Sequence, residues 1–369
     1  MPPLEVWQKV LVDPKFLDDV HAKPGCIACH GGTPNTDDKK EAHKGLLPKA
    51  GNEPERACGT CHVGIVEQTR DGLHRMLWGY QTVLKRRGAD FTNPKLVVAY
   101  TTHCTKCHAD CGDCHISRPA ALDGGLIKGH KVKRVASVFI TCGGCHSARV
   151  LDEYKGAHEG IPASVHWEKQ GMPCTKCHTV EEYHAGVHGT RYTGKPQPSC
   201  TQAGCHEDVR PGDGIEQHDE THLKGLACQV CHAAGAYKSC FNCHTGRDEK
   251  GIPYFATDPS QLTFKIGRNP LKSEDRPWDY VLLRHAPATH DLFGYYGENL
   301  LPDFDNEPTW KYTTPHNTRR QTPQNASCNA CHGQRELFLT EEDVAPAERD
   351  ANRAVIVTDI PEPVEEVGP

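Results

Sequence analysis

The chain has 369 residues, a formal net charge of −6, 37% hydrophobic residues, 34 glycines and 27 prolines. The acidic balance argues against nucleic acid as a partner, because phosphates select basic surfaces. No stretch approaches 18 apolar residues, so no transmembrane segment is expected, and no long helix or strand periodicity announces a core built from side chains.

All 20 cysteines fall in pairs, and every pair is followed at once by a histidine. In chain order the motifs are Cys26/Cys29/His30, Cys58/Cys61/His62, Cys104/Cys107/His108, Cys111/Cys114/His115, Cys142/Cys145/His146, Cys174/Cys177/His178, Cys200/Cys205/His206, Cys228/Cys231/His232, Cys240/Cys243/His244 and Cys328/Cys331/His332. Nine have the C-x-x-C-H spacing, and the seventh is stretched to C-x4-C-H.

This spacing has a chemical reason. Two thiols that add across the two vinyl groups of haem hold the next residue beneath the iron, where an imidazole nitrogen is the proximal ligand. Structural zinc would need two cysteine pairs per metal and no histidine after each. A disulfide framework explains an even count but neither the spacing nor the histidines. A thioredoxin-like motif would occur once, beside a βαβ pattern. The expected cofactors are therefore ten covalently attached c-type haems.

Fourteen histidines lie outside the motifs. They suffice for a second axial ligand at every iron, whereas the three methionines do not. The preferred distal set is His21, His43, His74, His130, His166, His188, His218, His222, His285 and His316. His103 is set aside because it abuts an attachment cysteine. His158, His184 and His290 are set aside as neighbours of better-placed histidines.

Along the chain the motifs recur as loose haem-plus-wrap units. His108 and Cys111 are separated by two residues and His232 and Cys240 by seven, so those attached groups are expected in near contact. The predicted organisation is a nine-haem region over 1–250, an aromatic-rich segment with the tenth haem over 251–340, and an acidic, Pro-containing tail over 341–369. The middle segment holds Trp278, Tyr280, Phe293, Tyr295, Tyr296, Trp310 and Tyr312. In the tail, Ala354 to Ile360 is a β-favouring run with no evident partner in its own chain. It is expected either to be disordered or to add as a strand to a neighbouring subunit. The fold class is that of a multihaem cytochrome: mostly irregular, with short α-helices wrapped around stacked haems and little β.

The stretches HCTKCHADCGDCHISRP at His103–Pro119 and TWKYTTPHNTRRQTPQNASCNACHG at Thr309–Gly333 resemble those of large multihaem cytochromes from anaerobic respirers. The C-x4-C-H form resembles a variant of small multihaem cytochromes of the sulfate-reducer type. The resemblance implies a periplasmic or cell-surface electron carrier whose partners are redox proteins or extracellular acceptors. Some members polymerise into extracellular filaments in which one distal histidine comes from the adjacent subunit, and His21 or His43 would take that role here. Because c-type haem is attached outside the cytoplasm and Met1 to Val12 carry no leader-like apolar run, the numbering is expected to be that of a mature chain. Haem propionates would take the net charge to roughly −16 in the ferric state, which favours basic partner surfaces. The alternative function is reduction of a small nitrogen or sulfur oxyanion at one haem with an open sixth position.

Overall fold

The structure, a computed structural model, describes residues 4–184, 198–233, 235–286 and 288–365, without the side chains of residues 240, 241 and 259–262. It forms two compact units, each assembled from separate pieces of chain. Unit 1 takes in Met1–Thr82, Cys104–Ser147 and His178–Lys195; unit 2 takes in Val83–His103, Ala148–Cys177 and Pro196–Pro369. The division cuts across the boundaries expected at 250 and 340. The aromatic-rich segment and the acidic tail share one unit with the motifs at Cys200, Cys228 and Cys240.

Helices are short. The longest wholly within one unit is Pro94–His103, whose Leu96, Ala99 and Tyr100 are buried. Three motifs form single-turn helices that begin on the first cysteine, at Cys26–His30, Cys111–His115 and Cys228–His232. A helical turn suits the motif, since residues i, i+3 and i+4 project from one face. The two cysteines and the histidine therefore point the same way. The Cys111 turn is fixed by a reciprocal cap, in which the Asp113 N–H donates to Asp110 and the Asp110 N–H donates to Asp113, each at 3.1 Å. Among the described residues, no helix is long and apolar enough to cross a membrane.

Unit 2 also carries more β-structure than the sequence announces. β1 (Ala236–Arg247), β2 (Pro253–Arg268), β3 (Tyr280–His285) and β4 (Trp310–Tyr312) form an antiparallel sheet in that order. The motif Cys240/Cys243/His244 lies within β1, and the β1–β2 register shifts between Phe241 and His244. Asn242 sits at this bulge with a φ of 48°, a left-handed conformation that asparagine tolerates. The cysteine spacing masks the strand in the sequence, because a bulged strand does not alternate cleanly.

The cores of the two units differ in kind. In unit 2, Phe264, Ile266, Val281, Leu282, Leu283, Trp310, Tyr312, Phe338 and Leu339 are buried around the sheet. Among the described residues of unit 1, the buried hydrophobic side chains are Ala57, Val66, Leu77 and Ile127. Four side chains of this size cannot offset the conformational entropy of a unit with more than a hundred residues. Fully buried hydrophobic side chains are thus far fewer in unit 1 than in unit 2.

The tail corrects an expectation. Its described residues, 341–365, find partners inside their own chain and include no strand. Val355 and Val357 are 0% and 2% exposed. Arg268 donates its N–H to the Val355 carbonyl at 3.0 Å, and Val357 donates to Leu339 at 2.8 Å. Asn352, also buried, accepts from the Trp310 N–H at 2.9 Å and donates to Thr309 Oγ1 at 2.8 Å.

Candidate haem-binding framework

Among the cysteines whose side chains are described, none is joined in a disulfide. Thiols of different motifs meet. Cys58 hydrogen-bonds with Cys111, Cys107 with Cys145, and Cys200 with Cys228. The second motif is thus beside the fourth, the third beside the fifth, and the seventh beside the eighth. Burial pushes the Cys104 and Cys114 thiols up to about 12, which makes them poor free nucleophiles.

Cys61, Cys205 and Cys243 are among the attachment cysteines that no helical turn holds. Cys61 is exposed. It lies in the turn between the helices Pro54–Ala57 and Val63–Thr69, so no helix holds it against the unit. Thr60 Oγ1 approaches its sulfur at 4.0 Å. Cys205 is exposed as well. The two added residues of the seventh motif open the helical turn into a loop, in which Gly204 takes a φ of 78° and the Cys205 N–H donates to the Gln202 carbonyl at 3.0 Å. Cys243 is half-buried on the bulged strand β1, where its backbone bridges to Ala288. Alternation along a strand sends residues three apart to opposite faces, and the bulge at Asn242 interrupts that alternation. The exposed thiols still adjoin other motifs. Burial raises the Cys29 thiol, and the nearby Cys61 raises it further; Cys177 is raised in the same way by burial and then by Cys205.

The motif histidines have facing partners. In unit 1, His62 faces His21 with ring centres 6.3 Å apart, His30 faces His130 at 6.0 Å, His146 faces His74 at 6.2 Å, and His115 faces His184 at 6.4 Å. In unit 2, His206 faces His166 at 6.0 Å, His232 faces His218 at 6.3 Å, and His332 faces His222 at 6.2 Å. These separations are wider than those of rings in direct contact. A metal–imidazole bond of about 2.0 Å, with about 1.15 Å from nitrogen to ring centre, puts two trans ligands of one metal about 6.3 Å apart. The pairs therefore fit a haem iron between them.

The other ring nitrogen shows which atom is free to ligate. A ligating histidine normally donates its second N–H to a carbonyl or carboxylate, which fixes the tautomer. His30 Nδ1 lies 2.8 Å from the Leu47 carbonyl, His115 Nδ1 2.6 Å from Lys133, and His232 Nδ1 3.0 Å from Arg319. His21, His218 and His222 place Nδ1 on Asp19, Asp213 and Asp219 at 2.8, 2.7 and 2.7 Å. In each case Nε2 is left for the facing side. Burial also holds His74 down to about 4 and lowers His108, His130, His166 and His184. These rings stay neutral, the form that binds metal. His130 accepts a backbone φ of 82°, with its ring centre 4.4 Å from that of Phe16. Left-handed backbone at a bulky residue is rare and here turns the ring toward His30.

Four histidines outside these pairs present the opposite nitrogen. His285 Nε2 is 2.9 Å from Glu348, His103 Nε2 is 2.7 Å from Tyr296 Oη, His290 Nε2 is 3.1 Å from Asp305, and His158 Nε2 meets the Ala148 carbonyl. Two histidines are placed differently from what the sequence order suggests. His285 is engaged with Glu348, and His184, set aside in the sequence, faces His115. His316 is half-buried and donates its backbone N–H to Glu153 at 3.0 Å. His43 is exposed, with Nδ1 2.7 Å from the Lys39 carbonyl. His188 lies outside the described residues. Of the remaining motif histidines, His178 rests Nδ1 on Glu182 at 3.0 Å, and His244 has Asp291 at 3.6 Å. The aspartates and glutamates that orient the rings escape sequence reasoning, although Asp19 and Asp219 stand two and three residues ahead of the histidines they hold.

Among the described residues, no group of three or more His, Cys, Asp or Glu side chains gathers to hold a bare metal ion. Each imidazole pair offers two donors, so an iron held there would draw its remaining donors from the group that carries it. Comparison with family models, with curated proteins and with solved structures returns no match for this chain.

Proposed function

We propose that the chain is a decahaem c-type cytochrome that carries electrons outside the cytoplasm, in the periplasm or at the cell surface. The observation that carries this reading is the set of seven imidazole pairs at the spacing of two trans ligands on one iron. Bound haem supplies a one-electron ferric/ferrous couple at each site. The residues of the chain do the rest. The paired thiols anchor each group, and the motif histidine takes one face of it. The facing histidine closes the other face against water and small ligands. Carbonyls and carboxylates on Nδ1 hold both rings in place.

The contacts between thiols of different motifs support an order of neighbours for the attached groups within each unit. The second motif adjoins the fourth, the third adjoins the fifth and the seventh adjoins the eighth. The electron path follows these contacts and departs from the order of the sequence. The acidic surface favours basic redox partners. Intact mass and a pyridine haemochrome assay test the reading: ten haems per chain are expected, with low-spin iron throughout. A mass corresponding to unmodified thiols refutes it.

A homopolymer is the second reading, and His43 favours it. Its ring is exposed and anchored through Nδ1, which leaves Nε2 available to an iron of a neighbouring copy. The tail does not contribute a strand to such an assembly, since it is satisfied within its own unit.

A further inference from the structure

The end of the chain closes on the tenth motif. The Glu362 carbonyl accepts from His332 Nδ1 at 3.0 Å. Gly333, the residue after the motif, donates its N–H to the Pro361 carbonyl at 2.7 Å. Asn329, inside the motif, makes a reciprocal pair with Val364: its side-chain amide donates to the Val364 carbonyl, and its oxygen accepts the Val364 N–H, both at 2.9 Å. Gly333 has a φ of 78°, and a Cβ there would lie 2.7 Å from the Pro363 ring. The approach thus requires glycine. On the other side, His222 faces His332 and is itself held by Asp219 at 2.7 Å.

We propose that residues 361–364 are a positioning element for His332: they fix its tautomer and strengthen it as an axial donor, which holds the tenth haem at a lower potential than it would otherwise have. This inference rests on the haem reading. The Glu362 carbonyl draws on the Nδ1 proton and gives the ring imidazolate character. A more basic ligand stabilises ferric iron over ferrous. The Asn329–Val364 pair supplies no electronic effect. It fastens the segment at the distance where the carbonyl can act.

The test compares the full chain with a chain ending at Ile360, with Asn329→Ala, and with the control Val364→Ala, which keeps the backbone bonds. Haem content by intact mass and potentiometric titration with EPR are read on each. The expected result is ten haems in all four proteins. One centre shifts to higher potential in the truncated chain by about tenfold in its reduction equilibrium, ~59 mV for one electron. Asn329→Ala shifts the same centre in the same direction, and Val364→Ala does not. The shift disappears in a Cys328→Ser/Cys331→Ser background, which lacks the tenth haem. Ten haems with unchanged titrations overturn the proposal and leave the cytochrome reading intact. Absence of haem from the full chain overturns the cytochrome reading itself. Should truncation strip the tenth haem alone, the potential in Asn329→Ala decides.

Discussion

His184 faces His115 with ring centres 6.4 Å apart and ring planes 15° from parallel. His184 ends the short helix Val180–His184, while His115 ends the turn Cys111–His115. Some seventy residues of sequence separate them, and nothing local in either helix announces the other.

The pairing gives the first expectation. His184→Ala should leave ten haems attached and convert one iron to a high-spin or water-ligated ferric state. Room-temperature absorption near the high-spin band and EPR check it. A spectrum identical to that of the unaltered protein would remove His184 from the ligand set.

His285 gives the converse case. Its Nε2 is engaged with Glu348, which also accepts from Thr309 Oγ1 at 2.9 Å. Burial pushes the Glu348 carboxyl up, but the bonds from His285 and Thr309 outweigh it and hold the group below its ordinary value. His285→Ala should therefore leave every iron low-spin and cost on the order of 1–3 kcal/mol of stability. The sign of the pH dependence follows. A carboxyl depressed in the folded state contributes stability above its unfolded pKa, and loses it as pH falls through the folded value. Acid unfolding should begin at higher pH in His285→Ala than in the unaltered chain, and circular dichroism across pH 6 to 2 reads the difference.

The contrast between the two cores gives the third expectation. When the chain is produced without haem attachment, unit 1 should lack hydrogen-exchange protection, because its described hydrophobic core is Ala57, Val66, Leu77 and Ile127. Amides of β3 in unit 2 should keep some protection, since Val281, Leu282 and Leu283 are buried by other side chains. Exchange mass spectrometry on the haem-free chain checks this. Equal protection in both units would show that side chains alone order unit 1.

His43 carries the fourth. If it ligates an iron of a neighbouring copy, light scattering of the native protein should rise with concentration into a polymer series, and His43→Ala should remain a monomer at every concentration. A monomeric native protein would assign the exposed ring to solvent.

The sequence displays some of this and hides the rest, for physical reasons. Attachment chemistry is local: two thiols and an imidazole must reach one group, so the spacing appears in the letters. How each thiol is presented does not appear there. Cys61 and Cys145 end the same four-letter spacing, yet Cys61 stands exposed in a turn and Cys145 is half-buried against Cys107. The stretch of the seventh motif is legible, but the outward position of Cys205 is not, and nothing in the spacing puts Cys243 on a strand. The choice of distal ligand is tertiary. His285 and His184 cannot be sorted by position along the chain, because what separates them is which ring nitrogen meets a neighbour: Nε2 on Glu348 in one, and a ring turned toward His115 in the other. The β1–β2 ribbon is hidden because the ninth motif and its bulge interrupt the alternation. The tail reads as solvated because nine of its 29 residues are acidic. Its buried part rests on Val355, Val357 and Asn352, too few to mark a periodicity.

Crossed contacts between motifs also bear on time. Cys58 meets Cys111, and Cys107 meets Cys145. A chain delivered from its N-terminus presents the second motif long before the fourth. On the proposed haem reading, the second could receive its haem as soon as it emerges, when its final neighbour does not yet exist. Each early group would then wait, open to solvent on the side its partner will cover, until a later stretch arrives. Loading and packing would be separate stages. The interval between them is when the nascent protein is most exposed to wrong partners, including a second copy of itself.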